Sequence, residues 1–397
     1  MRIRKISKIE THSLIMTSFF FLCFIPLWFG SLSINYSFVL LPGLALISNK
    51  LAKPPMIIAY ALVFYLIVYL IANIWFLDQA SSFFRRTSSF FIFMSLYVFA
   101  FIPITEQMIK SFKLALILIA TYYSLDSLLE FLSIDLLDTT NIKDGKQRYG
   151  FIYIMAIFLL LYNFLQSPKI KEKSLYFLFI LIIFVGLMLT ISRAAVLSLF
   201  LTIFFYLVFH LHKIRKLKLK NIIIAFLALL IMVSATYLNF RTSINYYVLS
   251  LIIPILSGDI INQASNFGSS EGIRIYRLLE IFEYISQHPI LGTGFLGIWS
   301  ISDTGSGSAH NQYGDVLLRV GVIGFAFFII HITLLTMYLK KHHQDIFWGF
   351  FGVLVYGFFH ETFKESQGAF VLAFLIGIYA QSLRDRQHFN ARRLATI

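Results

Sequence analysis

The sequence predicts an all-α fold: a polytopic transmembrane helical bundle of about 12 spans with one long periplasmic loop containing an amphipathic helix. Three observations predict it. The 397 residues are 58% hydrophobic and only 13% charged, with mean hydropathy +0.79, whereas a soluble domain is about a quarter charged. The apolar residues come in runs of about 18 or more, enough to cross ~30 Å of hydrocarbon. The Lys and Arg residues fall mostly in short loops between those runs, so the net charge of +14 reads as a topology signal rather than a nucleic-acid surface.

In chain order, a basic N-terminus (Arg2, Arg4, Lys5, Lys8) precedes apolar spans at 13–31, 33–49, 55–77, 89–105, 112–134, 150–166, 174–192, 194–211, 221–239, 315–339, 345–360 and 368–383. The first run lacks a small-residue cleavage site and is followed by further spans, so no removable signal peptide is expected. The 44 Phe and 21 Tyr suit lipid-facing helices with aromatic belts. A single cysteine, Cys23, excludes an intramolecular disulfide framework and a cysteine metal cluster. No fixed-period repeat marks the chain, and residues 1–397 are expected to form one integral membrane domain.

Placing the N-terminus inside and alternating puts Lys50, Lys53, Lys110, Lys113, Lys169, Lys171 and Lys173 on the inner side. The run Lys213 to Lys220, Lys340, Lys341, Arg384, Arg386, Arg392 and Arg393 joins them. With the N-terminal four these are about two-thirds of all Lys and Arg, as the positive-inside rule requires. Both termini are then cytoplasmic, and the loop 240–314 is extracytoplasmic. The basic residues on the disfavoured side are Arg85, Arg86, Lys143, Lys146, Arg148, Arg193, Arg241, Arg274, Arg277, Arg319 and Lys364. Asp135, Asp138 and Asp144 balance some of them; a bound anion is one candidate partner for the others, and snorkelling is the plainer alternative.

The loop leads into the chemistry. Glu271 to Gln287 reads as an amphipathic helix, with Ile273, Leu278, Ile281, Phe282 and Ile285 at helical spacing. Arg274 and Arg277 are three apart and share a face. Pro289 marks the helix end, and glycine-rich irregular backbone follows down to His310. The helix is expected to lie along the outer membrane face and present both guanidinium groups.

Arg193 stands between two apolar runs with no acid nearby in sequence. It either binds an anion through its bidentate fork or snorkels to the headgroups. Asp126 and Glu130, at i and i+4, share a helix face and are either a wet intramembrane pair or interfacial residues. His310 precedes Asn311, Tyr313 and Asp315 at the start of the tenth span. A histidine there can take a proton from an attacking hydroxyl, although a lone histidine is more often structural. The predicted outer loops carry no Asp-x-Asp pair, and the chain shows no His/Cys ligand set, P-loop or Gly-x-Ser-x-Gly elbow. No metal and no cofactor is therefore expected, and arginines rather than a metal would hold a phosphate-linked substrate.

At these residues the chain resembles the O-antigen ligase/polymerase family of bacterial membrane glycan transferases. The resemblance rests on Ser192-Arg193-Ala194-Ala195, on Gly272-Ile273-Arg274 running into His288-Pro289-Ile290-Leu291-Gly292-Thr293-Gly294-Phe295, on Ser308-Ala309-His310-Asn311-Gln312-Tyr313, and on Leu318-Arg319-Val320-Gly321. It covers roughly 180–335.

The resemblance implies an inverting, metal-independent transferase on the periplasmic face of the bacterial inner membrane. Arg193 and Arg274 would bind the diphosphate of an undecaprenyl-diphosphate-linked glycan, and His310 would assist the acceptor hydroxyl. Arg277 and Arg319 join the diphosphate set by position and charge, with Asn311, Tyr313 and Asp315 as acceptor-side or supporting residues. The expected activity is polymerisation of lipid-linked O-antigen repeat units in lipopolysaccharide biosynthesis. The alternative is the ligase reaction onto lipid A-core, and a lipid-linked sugar transporter is a more distant alternative. The expected partners are the lipid-linked glycan, a glycan or lipid A-core acceptor, membrane lipids and a chain-length regulator protein, with no nucleic acid.

Overall fold

The computed structural model describes residues 8–29, 32–35, 52–56, 58–60, 63, 98–133, 149–190, 192–214, 270–301, 309–364 and 366–395. Expected spans 33–49 and 55–77 fall mostly outside these residues, and 221–239 falls wholly outside them, as does 240–269 of the long loop.

The described helices are α1 (Lys8–Phe24), α2 (Glu106–Ser133), α3 (Gly150–Gln166), α4 (Ile170–Leu189), α5 (Arg193–Ile214), α6 (Ser270–Gln287), α7 (Gln312–His342), α8 (Gln344–Tyr356) and α9 (Ser366–Ala395). Helix α4, helix α7 and the Glu106–Leu129 part of α2 are long and apolar enough to cross a membrane. Shorter apolar helices run over Ser13–Phe24, Gly150–Gln166 and Ala194–Phe209. Leu114, Leu118, Leu125 and Leu129 of α2 point outward at helical spacing, which water would penalise and lipid does not.

Two expected spans are corrected. The first helix stops at Phe24 rather than 31, because Pro26 has no N–H and disfavours helical backbone before it. Pro26–Phe29 then pairs antiparallel with Leu32–Asn35, Leu27 opposite Ile34 and Trp28 opposite Ser33. Among the described residues the fold is thus helical with one short hairpin. In the span expected at 89–105, the described end is a 3₁₀ turn, Val98–Phe101, and Pro103 prevents its extension as α-helix.

Helix α3 is the centre of the bundle, buried at every residue from Gly150 to Leu160. It ends where Pro168 forces Ser167 into extended backbone (ψ 130). Ser167 Oγ then donates to Glu172 at 2.7 Å, making a tight antiparallel connection into α4. A second group of side chains is aromatic: Phe112 stacks on Phe374 at 4.2 Å, and Phe20 and Phe99 meet Phe374 edge-on at 5.1 and 5.3 Å. These contacts tie α1, α2 and the 3₁₀ turn to α9.

The termini of the bundle helices sort into two ends, with α1 and α2 running in the same direction, Ser13 beside Ser111 and Phe24 beside Tyr123. One end is basic. Lys113 of α2 pairs with Asp345 of α8 there, Lys340 lies over Phe209 at 5.3 Å, and Arg384 donates to the carbonyls of Ala100 and Ile102 at 2.5 and 3.1 Å. The opposite end joins Phe24, whose carbonyl accepts from Tyr123 at 2.9 Å and Gln367 at 3.5 Å, to the α7–α8 crossing, where Gln312 N–H donates to Gly357 O at 2.7 Å. His310 lies at this second end, called here the site end.

Helix α7 fixes the level of the site. At 1.5 Å per residue its 31 residues run ~46 Å, longer than a ~30 Å hydrocarbon core. It breaks at Gly321 (φ 67, ψ −176). Val322 to His342 alone is about 31 Å long and matches the core. The shorter segment from Gln312 to Val320, with Asp315 and Arg319, stands above it.

Candidate functional site

The break in α7 is built by a second segment. An uninterrupted helix pairs Val322 N–H with Leu318 C=O. Here Val322 N–H donates to Pro289 O at 2.9 Å, and Leu318 O accepts from Thr293 N–H at 2.7 Å and from the Thr293 hydroxyl at 3.3 Å. The irregular segment Pro289–Thr293 thus satisfies both groups that the break releases. Gly321 is required twice over: its φ is +67, and a Cβ would collide with the Ile290 carbonyl.

Downstream, the 3₁₀ segment Gly294–Ser300 wraps the Arg319 guanidinium. Arg319 Nη1 donates to Gly294 O at 3.4 Å. A Cβ on Gly297 (φ 53) would stand 2.5 Å from Arg319 Nη2, so the missing side chain makes the room. Arg319 Nε donates to Asp315 at 2.8 Å one helical turn earlier, and the two side chains are only 5% and 3% exposed. This pair is desolvated, and its worth lies in geometry rather than net stability.

Helix α6 lies against the first turns of α7. Its inward side chains include Arg277, Ile281 and Ile285. Leu278 and Ile281 approach the Cβ direction of Gly314 at 3.3 Å. Ile281 and Ile285 join Ile298, Ala309 and Leu318 in a small core separate from the bundle interior. Leu279 and Phe282 point outward, 45% and 58% exposed. The amphipathic helix read from sequence is present, beginning one residue earlier at Ser270, but its packed face carries an arginine. Arg277 is 1% exposed and donates to Glu280 at 2.7 Å. Arg274 is half-buried, and among the described residues its buried Nε has no hydrogen-bond partner. Tyr276, on the other side, donates to Glu280, and that bond holds its phenol above the usual range.

His310 occupies left-handed backbone (φ 53), the single non-glycine residue with positive φ among those described. That conformation costs ~1–2 kcal/mol outside glycine and persists only where surroundings hold it. The holding groups are visible. Ala309 N–H donates to the buried Glu361 carboxylate. Asn311 caps α7, its Oδ1 accepting from Gly314 N–H at 2.8 Å while its Nδ2 donates to Phe358 O at 2.9 Å. Phe363 N–H donates to Gln312 Oε1 at 2.5 Å, and Tyr313 O–H donates to Leu354 O at 2.7 Å with its ring against Phe358.

The structure therefore brings His310, Asn311, Tyr313, Asp315 and Arg319 together on one short stretch and sets α6 over it. It engages Arg277 with Glu280 and Arg319 with Asp315. Arg193 is the first residue of α5, and Ala195 packs at Gly150 and Tyr356 on the site end; the Arg193 side chain lies outside the described residues. Asp126 stands near Tyr153 in the bundle, and the Glu130 side chain also lies outside the description. Gln312 lies within the Ser308–Tyr313 motif but was given no role there, and Glu361 had no motif to mark it.

A helical bundle in which three of the described helices are long and apolar enough to cross a membrane, with a polar, arginine-bearing end, defines a multi-pass membrane protein. Residues 177–329, which hold every side chain expected in the site, match the family model described as O-antigen ligase. Over that segment the chain is similar to the O-antigen ligase family of glycan-processing membrane enzymes. No curated protein matches the chain.

Proposed function

We propose that the protein is a periplasmic-face glycosyltransferase that polymerises undecaprenyl-diphosphate-linked repeat units, inverting and independent of metal. The observation that carries this reading is the coincidence of the matched segment with the end of the bundle where His310 is held in strained backbone. Strain of that kind collects at functional sites. Both termini are cytoplasmic in this reading. Its support is the basic end bearing Lys113, Lys340 and Lys341 opposite the site end.

The acceptor hydroxyl attacks the anomeric carbon of the donor sugar, and His310 takes the hydroxyl proton. The bond from that carbon to the diphosphate oxygen breaks, and the diphosphate leaves with its electron pair. Arg274, with a buried donor open among the described residues, and Arg193 at the start of α5 hold the developing charge. Losing one such donor costs about 10²–10³ in kcat. Arg277 and Arg319 shape the site through Glu280 and Asp315 rather than by direct phosphate contact. The ~31 Å segment of α7 below Gly321 sets the reacting groups at the membrane surface, so the lipid tail stays among the helices.

The description of the matched model favours one second reading, transfer of the finished glycan to lipid A-core. A gel of surface polysaccharide from cells lacking the gene, complemented with wild type or His310→Ala, separates the readings. Core bearing one repeat with the ladder gone means polymerase. Bare core with polymer held on the lipid carrier means ligase. An unchanged ladder sinks both and returns the transporter class.

A further inference from the structure

We propose that Glu361 is the positioning residue of His310: it holds the peptide that enters the histidine and so fixes the direction of its imidazole. The proposal rests on the reading of His310 as the group that takes the acceptor proton, and it adds a residue outside the matched segment 177–329.

A residue in left-handed backbone needs fixing on both sides. On the downstream side the holding bonds are neutral. Gln312 N–H donates to Gly357 O at 2.7 Å, Asn311 Nδ2 donates to Phe358 O at 2.9 Å, and Phe363 N–H donates to Gln312 Oε1 at 2.5 Å. On the upstream side the described acceptor is a carboxylate: Ala309 N–H donates to Glu361 Oε1 across 52 residues of chain. Ala309 is 1% exposed and Glu361 5%. Hydrogen bonds to an ionised acceptor are about twice as strong as neutral ones, and low local dielectric strengthens them further. Every one of these partners lies between Gly357 and Phe363, the segment that leaves α8. That segment grips the His310 turn from both sides, and Glu361 supplies its charged contact. Glu361 acts through the backbone of Ala309, so it positions and does not itself handle the proton.

The test uses the full chain in lipid nanodiscs with Glu361→Gln and Glu361→Ala. Gln keeps an oxygen acceptor without the charge, and Ala removes both. Amide hydrogen exchange of peptides covering 309–313 should rise about tenfold in Glu361→Ala and about threefold in Glu361→Gln, with α6 peptides unchanged. Exchange at 309–313 equal to wild type in both variants overturns the proposal without reference to activity. If Glu361→Ala does not accumulate, the Glu361→Gln exchange decides alone. In transfer assays with isolated lipid-linked repeat units, Glu361→Ala should lose at least about tenfold in kcat at unchanged donor KM, and Glu361→Gln should be rescued to within about threefold of wild type. A Gln variant as inactive as the Ala variant overturns positioning in favour of a charge or proton role. Absence of transfer by the wild type defeats the glycosyltransferase reading, and the exchange result still decides whether Glu361 holds the turn.

Discussion

Replacing Asp315 with Asn removes the carboxylate charge that Arg319 faces at 2.8 Å in surroundings only 5% and 3% exposed. At an effective dielectric of 20, the attraction across that distance is ~6 kcal/mol. Desolvation of two ions offsets most of it, so an apolar pair in the same place is nearly as stable. Removing one partner is different: the surviving ion keeps its desolvation cost, and about 3–5 kcal/mol is lost. That is a large part of a stability of about 5–15 kcal/mol. Asp315→Asn and Arg319→Met alone should each lower the thermal unfolding midpoint in detergent, and Asp315→Leu with Arg319→Met together should recover most of the loss. A single variant as stable as wild type, or a double variant as unstable as the singles, refutes the reasoning. The transfer assay adds a second result: a folded, active double variant assigns Arg319 to architecture. A folded, inactive one returns it to the diphosphate.

Gly321→Ala should destabilise by ~1–2 kcal/mol from left-handed backbone alone, with overpacking against the Ile290 carbonyl adding ~1–3 kcal/mol; the exposed Val322→Ala is the control in the same melting series. Asn311→Ala removes the α7 cap and should cost ~1 kcal/mol while accelerating exchange at residues 312–315. Arg274→Lys keeps the charge but loses the fork, and should lower transfer well below wild type at normal protein level. At the basic end, burial and then the Lys113 charge hold His343 below the usual imidazole range. Below about pH 6.5 the unfolded chain binds a proton that the folded protein resists. Stability should therefore fall as pH drops through that region until the folded imidazole also protonates, and His343→Gln should flatten the fall in midpoint between pH 7.5 and 5.5.

Much of this fold was legible because lipid writes a strong signal. The apolar run 150–166 is α3 residue for residue, and the helix expected over 271–287 is α6 with one residue added. Pro26 was readable as a stop but was overridden by the apolar residues around it, and the chain there pairs as a hairpin. The break at Gly321 was hidden because one glycine inside an apolar run leaves hydropathy unchanged. What breaks the helix is Pro289–Thr293, far away in sequence. The cluster of His310, Asn311, Tyr313, Asp315 and Arg319 was visible because it is local. The engagement of Arg277 by Glu280 was open to an i,i+3 reading, whereas burial of that pair was not. Glu361 meets Ala309 only through folding, so no spacing rule finds it.

The most direct test is a transfer reaction in proteoliposomes holding only the purified chain and isolated undecaprenyl-diphosphate-linked repeat units. The account predicts lipid-linked oligomers and released undecaprenyl diphosphate with wild type in the presence of a chelator, and neither product with His310→Ala or Arg274→Ala at equal folded protein. Full turnover by His310→Ala would contradict it.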